Sequence, residues 1–593
     1  MSNNISRREF IAVSGAAASV AALASMGFPM AYGAGWGKNE SEIAIDDMET
    51  ANYNTDVLVV GSGMAGLFAA VKAHDAGAKT IMVSKGRLGS SGQTPFAKGI
   101  FEFSPETSKY TLDEFVESVG KSALGTNNPV YTRQVAEHSQ ARIKELRQWG
   151  FFDSPLYNKA FSRPISERDI PVIERITITH LIKENGKIAG AAGFSIDEKK
   201  IYFFNAKSVI LCTGAGGFKP NGFPINDLTH DGTIMAYNIG AKVTGKEWND
   251  GHGGSAVNAA ACYDGWHGMF DEKPSITSVD IHHDLGVDMN YMAYVNGNPL
   301  KMSHPGDMSS TQVTGGPYRP EGFNLEEKQE ERPRPKDGER PPRGQKPPEG
   351  EGGREGGREG GKEGGPAGMG GAMVGGSSAG MAIHKSEGLV PINDKCESNI
   401  PGLYAAGDAL GSYMAGAIYT QVGSSLAGSA VQGAIAGEAA AAYSGIAVMH
   451  SISANQITAI RNEIFAPLER ESGYSPAWVT QTLQGIMIPN FILYIKKENL
   501  MKAALAYIEE LRDHHMPLLR ASDLHELRLA HETANMIVTA EMKLKASLMR
   551  KESRCSHYRL DYPEMDNVNW QAWINIYKGD DGAMMFEKQP FTY

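Results

Sequence analysis

The chain has 593 residues, 57 Lys and Arg against 68 Asp and Glu, and a formal charge of −11. Such a length allows about two to four domains with ample core, and the acidic balance leaves no electrostatic case for a nucleic-acid partner. Its four cysteines, Cys212, Cys262, Cys396 and Cys555, include no C-x-x-C pair. This excludes haem attachment and CxxC-bound clusters on this chain, argues against a disulfide framework, and leaves no metal site to expect.

The chain opens on Ser6-Arg-Arg-Glu-Phe-Ile11 and an Ala/Ser/Gly/Val run to about Phe28. This is a twin-arginine pattern, so residues 1–34 are read as an export signal with small residues near Ala31 to Ala34 for cleavage. The run is too rich in Ala and Ser to read as a membrane span. A periplasmic or otherwise extracytoplasmic protein, delivered by the twin-arginine machinery already folded around its cofactor, is expected. Residues 35 to 54 read as a polar leader.

Thr55-Asp-Val-Leu-Val-Val-Gly-Ser-Gly-Met-Ala-Gly-Leu67 then reads as a buried strand, a glycine turn and a helix. In this G-x-G-x-x-G pattern Gly61 allows the tight turn, Gly63 lets backbone approach a pyrophosphate, and Gly66 lets the helix pack on the sheet. The pattern alone also describes ordinary βα turns. Here a second strand, Lys79 to Ser84, follows the helix and favours a dinucleotide site.

A Gly- and Ser-rich loop spans Lys85 to Gly99, and residues 111 to 150 have helical spacing. Arg175 to Phe204 reads as a meander broken at Asn185-Gly186 and at Asp197 to Lys200. Ser208-Val-Ile-Leu-Cys-Thr-Gly-Ala-Gly-Gly217 is a buried strand ending in glycines. Residues 320 to 371 are rich in Pro, Glu, Gly, Arg and Lys with almost no apolar side chains, the composition of a disordered surface insertion. Gly402 to Leu410 is a strand and turn, Ser424 to Tyr443 a helix of small residues, 453 to 552 a set of long amphipathic helices, and 553 to 593 an irregular aromatic tail.

This order resembles the flavoprotein subunits of the succinate dehydrogenase/fumarate reductase family, whose plan L-aspartate oxidase and the adenylylsulfate reductase alpha subunit share. The likeness rests on Ser91-Gly-Gln-Thr-Pro-Phe-Ala-Lys-Gly99, Cys212 to Gly217, Thr229-His-Asp-Gly-Thr233, Gly402-Leu-Tyr-Ala-Ala-Gly-Asp408 and Lys551-Glu-Ser-Arg-Cys-Ser-His557 followed by Asp561-Tyr-Pro563 and Trp570. It implies an α/β fold: a Rossmann-like FAD-binding domain (55–219 and 391–445), an inserted α+β capping domain (220–390, containing the insertion 320–371), and a C-terminal helical domain with its tail (446–593).

The same resemblance implies roles for individual residues. Gly61, Gly63, Ala65 and Gly66 cradle the pyrophosphate, and Ser84 and Lys85 lie by the adenosine ribose. The Ile178 backbone faces the adenine. Ser91, Gly92, Gln93 and Gly99 form the flavin loop, with Thr213, Gly214 and Asp231 beside it. Gly407 and Asp408 hold ribityl or ribose hydroxyls, while Ser424, Ser425 and Leu426 open a helix toward the flavin N1–C2 side. Gln93 stands where succinate dehydrogenases carry the histidine bonded to flavin, so the FAD is expected to be non-covalent.

The chain departs from the family at the dicarboxylate site. No arginine occurs between Gly222 and Tyr318. Gly371-Ala-Met-Val-Gly-Gly376 stands for the family's H-Y-N-M-G-G, and Tyr419 and Thr420 for the Asn and Arg of A-N-R-L-G. Without two fork-shaped donors, a substrate with two carboxylates is poorly held. The expected reaction is hydride transfer between flavin N5 and a less charged unsaturated organic molecule, with Tyr419 or His252 moving the proton and Arg554 at the flavin end. His282, His283, His304 and His384 are lesser candidates, and an ion pair with Glu552 is an equal reading for Arg554. A misaligned succinate/fumarate enzyme and an electron-transfer subunit without its own substrate site are the alternatives. Electrons would pass through a separate cytochrome or iron–sulfur protein.

Overall fold

In a computed structural model, residues 47–96, 100–106, 108, 110–152, 157–219, 225–249, 254–255, 373–374, 385–417, 423–488, 490–493 and 495–591 are described. The expected export signal, the insertion 320–371 and most of the expected capping domain lie outside them, as do Gly99, His252, His282, His283, His304, His384 and Tyr419.

The central sheet has seven strands. In chain order they are β1 (Glu49–Val60), β2 (Thr80–Ser84), β3 (Val172–Glu174), β4 (Ile176–Glu184), β5 (Lys187–Ser195), β6 (Lys200–Leu211) and a late strand, Leu403–Ala405. Their order is β3-β2-β1-β6-β5-β4, with the late strand also on β6. β1, β2, β3 and the late strand run parallel to their neighbours, whereas β4, β5 and β6 form an antiparallel meander. The parallel strands read as continuous apolar runs because both faces are covered. Asn185 and Gly186 turn the β4–β5 hairpin at φ 51° and 78°.

Two readings of the sheet change. β1 begins at Glu49, within the stretch taken as a polar leader, because Glu49 to Thr55 pairs with β6 from Lys200 to Ala206. Tyr53 stacks on Tyr202 and Phe204 there, with ring centroids 6.2 and 5.4 Å apart. The end of the meander and the strand at Ser208 also prove to be one element. β6 spends Ile201 to Asn205 on β5 and Val209 to Leu211 on the late strand.

Helix α1 (Met64–Asp75) follows β1, and α2 (Leu112–Ser122) and α3 (Pro129–Gln148) occupy the stretch with helical spacing. Thr111 and Glu114 form a capping box at α2, and Asn128 with Pro129 starts α3. After β6 come α4 (Asp231–Asn238), β7 (Val243–Thr244), β8 (Gly388–Leu389) and the late strand, now β9. A single 3-10 turn, Gly407–Ala409, leads on toward α5 (Ser424–Ile446). α5 packs on α1 backbone to backbone. A Cβ at Gly433 would lie 2.3 Å from the Ala65 carbonyl oxygen, and one at Gly437 2.5 Å from that of Ala69. The small-residue composition of α5 therefore serves close approach.

The C-terminal helices are α6 (Ala454–Glu469), α7 (Pro476–Met487), α8 (Glu498–Glu510) and α9 (Leu524–Met549). They bury Val479, Leu483, Met501, Ile508, Met536 and Ile537 in a second core. The tail is more regular than its sequence suggested. β10 (Ala572–Lys578) and β11 (Met584–Pro590) form a hairpin, and the sheet order β8-β7-β10-β11 ties it to strands far earlier in the chain. The turn signal Gly579-Asp-Asp-Gly582 and the alternation through Trp573 and Asn575 were the local clues to it. Among the described residues no helix is long and apolar enough to cross a membrane.

Candidate functional site: a cofactor cleft at the strand ends

The C-terminal ends of β1, β2, β6 and β9 open onto one cleft with about 1220 Å³ of empty space, part of it continuous with solvent. Its position follows from the parallel strands, whose carboxyl ends leave a crevice where the strand order reverses. Of the residues expected to bind a cofactor, the cleft is lined by Gly61, Gly63, Ala65, Ser84, Lys85, Ser91, Gly92, Gln93, Ile178, Thr213, Gly214, Asp231, Gly407, Asp408, Ser425 and Leu426. Gly66 and Ser424 stand just behind it. Gly66 lets α1 close on the turn, since a Cβ there would fall 1.9 Å from the Gly61 carbonyl oxygen. Ser424 is buried in the first turn of α5.

Two helices start at the cleft, α1 from Gly63 and α5 from Gly423, and neither has a side-chain cap or an acid in its first turn. Such helix starts carry unpaired N–H groups and partial positive charge, which suits phosphate and other anionic groups. Thr94 Oγ1 accepts from Met64 N at 3.1 Å, so one donor of α1 is met by the loop that closes over it. Ser62 and Ser84 share a hydrogen bond of 2.6 Å between their hydroxyls. Gly92 N donates to Asp227 Oδ2 at 2.9 Å, joining that loop to residues 225–228 across the mouth.

Lys85 does not reach out as a free cation. Its ammonium donates to Asp231 Oδ2 at 2.7 Å and to Glu532 Oε1 at 2.9 Å. Burial alone would lower its pKa, but the two carboxylates outweigh it and hold the ammonium above its ordinary range. Burial would raise Asp231, yet Lys85, Asn535 and Thr229 bring its carboxyl below the usual range. Thus Asp231, delivered by α4, supplies an ionised acid at the place where the end of β2 lacks one.

Arg554, expected at the catalytic site, is held elsewhere. It donates to Glu552 Oε1 and Oε2 at 3.0 and 3.1 Å, to the Leu124 carbonyl at 2.9 Å and to Asn567 Oδ1 at 2.8 Å. It lines a separate cavity with Gly120, Leu124 and Phe591. It makes the ion pair with Glu552 and does not line the cofactor cleft.

Two family models match parts of the chain. The FAD binding domain family matches residues 56–159, and the family described as fumarate reductase flavoprotein C-term matches residues 480–593. The chain carries an FAD-binding domain and a fumarate reductase flavoprotein C-terminal domain. It is 26% identical to an uncharacterized FAD-dependent oxidoreductase of Methanocaldococcus jannaschii, over 91% of this chain and 98% of that one. It is 25% identical to a subunit of the CoM/CoB fumarate reductase of Methanothermobacter marburgensis, over 87% and 96%. The Mycobacterium smegmatis Sdh1 complex contains a chain of the same fold, with a TM-score of 0.67 at 20% identity, covering 91% of this chain and 95% of that one. L-aspartate oxidases and adenylylsulfate reductase are among the similar proteins too.

FAD is the cofactor of this flavoprotein, and the cleft has the features it needs. Gln93 Oε1 and Thr213 Oγ1 are buried there without hydrogen-bond partners among the described residues, which is costly unless a bound group supplies them. The glycines divide by role. A Cβ at Gly61, at φ 113°, would meet the Cys212 carbonyl oxygen at 2.2 Å, whereas at Gly63 the nearest protein atom is Thr94 Oγ1 at 3.3 Å. Gly61→Ala is therefore expected to misfold the turn and cost several kcal/mol. Gly63→Ala should fold and lose FAD, because its methyl group points where the cofactor approaches. The flavin-to-protein absorbance ratio and the urea midpoint of the two purified variants separate these outcomes.

Several residues of the flavoprotein's site escaped sequence reasoning. Lys385 donates to Asp408 Oδ1, and Ser429 lines the cleft one turn beyond Ser425. Ser429 was legible from helical spacing, but nothing marked Lys385. A second group lies behind β8. Glu387 receives Lys246, Lys543 at 2.7 Å and His230 Nδ1 at 3.1 Å. Burial would raise its carboxyl, yet these neighbours hold it well below the usual range. Farther along, His557 Nε2 faces the Arg550 carbonyl at 3.1 Å, so it carries the proton and Nδ1 accepts from Lys496 at 2.8 Å.

Proposed function

We propose that this protein is an exported oxidoreductase subunit that moves a hydride between flavin N5 and an unsaturated small organic molecule other than a C4 dicarboxylate. When bound, the FAD supplies the two-electron chemistry. The chain's own residues hold it without a covalent bond, since Gln93 offers no nucleophile. Asp231 and Asp408 serve as acceptors for its hydroxyl groups, and the starts of α1 and α5 take its negative charge. Tyr419 or His252 would move the proton at the substrate carbon.

The supply of arginine carries the proposal against dicarboxylates. None occurs between Gly222 and Tyr318 or between Gly360 and Ile460, the stretches that border the substrate region in the family plan. The buried arginines of the C-terminal part are already bound: Arg550 to Glu247 and Glu552, Arg554 to Glu552, Arg559 to Asp561. Neither those stretches nor these three arginines thus supply a fork-shaped donor for each of two carboxylates.

Relatives that are subunits of larger complexes support a separate electron-transfer protein as partner. The twin-arginine pattern supports a periplasmic location. Mixing the dithionite-reduced holoprotein with a panel of acceptors, followed by flavin absorbance, tests the reaction. An enone or similar neutral acceptor should reoxidise the flavin well ahead of fumarate. Rapid reoxidation by fumarate would overturn the proposal, and no reoxidation by any member of the panel would favour an electron-transfer subunit.

A further inference from the structure

Lys385 is the most unusual charged residue near the cleft, because it does not line it. Its side chain is 1% exposed. The ammonium donates to Asp408 Oδ1, to the Ser425 carbonyl at 2.8 Å and to Ser429 Oγ at 3.0 Å, with Ser425 Oγ at 3.3 Å. All three partner residues line the cleft. The stem passes over Gly428, where a Cβ would come within 3.1 Å of Lys385 Cε. Its backbone sits at φ 64°, a conformation that side-chain-bearing residues rarely adopt and that only surrounding contacts sustain. The Lys385 carbonyl accepts from Tyr413 N at 2.7 Å and fixes that backbone.

The placement runs against simple electrostatics. A buried cation beside the first turn of α5 faces the positive end of the helix dipole, and burial lowers its pKa further. Asp408 is the counterion that offsets this. The arrangement makes sense if the pair's purpose is the position of Asp408. The aspartate follows Gly407, whose φ is 69°, in a one-turn 3-10 segment. Such a short element does not by itself fix a side-chain rotamer.

We propose that Lys385 is a positioning residue for FAD: it clamps one oxygen of Asp408 and ties it to the first turns of α5, so that the carboxylate and the helix start meet the cofactor in fixed register. The inference rests on FAD occupying the cleft. It assigns to this chain's Lys385 a role in cofactor retention that acts through Asp408.

The test is the rate of FAD release from purified holoprotein after dilution, followed by the rise in free-flavin fluorescence. Lys385→Met and Asp408→Asn should each release FAD about tenfold faster or more, the scale of one charge-assisted hydrogen bond. The double variant should release it no faster than the quicker single variant, because both break one linkage. The visible flavin band of K385M should move toward that of D408N, a signature that loss of general stability would not produce. Release of FAD from K385M at the native rate would overturn the proposal, as would a double variant whose effect is the product of the two singles. Should K385M fail to fold, D408N and Ser429→Ala decide. Both are expected to speed release, S429A about threefold, and native rates in both would overturn the assignment. Apoprotein that never takes up FAD in the unsubstituted chain would instead strike at the FAD assignment.

Discussion

Glu387→Gln is expected to destabilise the folded protein by about 3–5 kcal/mol, the cost of breaking a buried ion pair from one side. The glutamine keeps the shape and removes the charge. Lys246 and Lys543 are then two ammonium groups with 0% side-chain exposure and no carboxylate between them. Lys543 retains the Trp248 carbonyl and Asn249 Oδ1 as acceptors at 3.3 and 3.2 Å, so Lys246 bears most of the loss. Lys246→Met on top of E387Q should therefore recover part of the stability, about 2 kcal/mol, because it removes the stranded charge. Urea unfolding of the single and double variants measures this. An E387Q midpoint equal to the native one would refute it. The loss should reach the cofactor too, since Gly388 follows Glu387 and packs against the Ala409 carbonyl, next to Asp408.

The second large effect is loss of stability on mild acidification. Burial brings His230 and His531 down to about 4, and burial with Lys496 and Arg550 nearby puts His557 well below its ordinary value. A depressed folded-state pKa means that the unfolded chain binds the proton first. Each histidine's contribution is then complete above about pH 6.5 and is lost as pH falls from there toward 4, about 3 kcal/mol for His230 and for His531. Glu247 works in the opposite sense, because burial raises its carboxyl, but it offsets at most one of the three protons. Lys496, pushed well below the usual amine range by burial, has the same sign as the histidines, but its loss begins as pH falls through about 10.4. Unfolding free energy should accordingly drop by several kcal/mol between about pH 7 and 5. His531→Gln, whose side-chain Nε2 takes the place of the imidazole Nε2 toward the Ile464 carbonyl, should flatten the slope by about one proton. A pH-independent urea midpoint over this range would contradict the assignment of neutral buried imidazoles.

How much of this was legible beforehand depends on the distance over which each feature is encoded. The glycine turn at Gly61 to Gly66, the hairpin turn at Asn185-Gly186 and the small-residue helix α5 are local patterns whose elements can be placed from a few neighbouring residues. Their places in the sequence and in the fold coincide. The pieces misread were those whose meaning is set by a neighbour. Glu49 to Asn54 looks like a polar leader until β6 pairs with it. The tail looked irregular because β10 pairs on one side with β7, far away in sequence. Arg554 sat in a motif run that equally suited a catalytic or an ion-pairing role, and its pairing with Glu552 appears only in the fold.

By itself the sequence carried the glycine spacing of a dinucleotide site, and its resemblance to the succinate dehydrogenase/fumarate reductase flavoproteins implied FAD on a Rossmann-like frame in two separated halves. It also showed no arginine between Gly222 and Tyr318 or between Gly360 and Ile460. Only the tertiary structure decided which charges are buried and what each one faces. Lys385 meets Asp408, Lys85 meets Glu532, and Glu387 gathers Lys246, Lys543 and His230 from distant parts of the chain. A lysine on a surface and a lysine in a core are the same letter. The difference between them is desolvation and the partner that offsets it, and both exist only once the chain has folded.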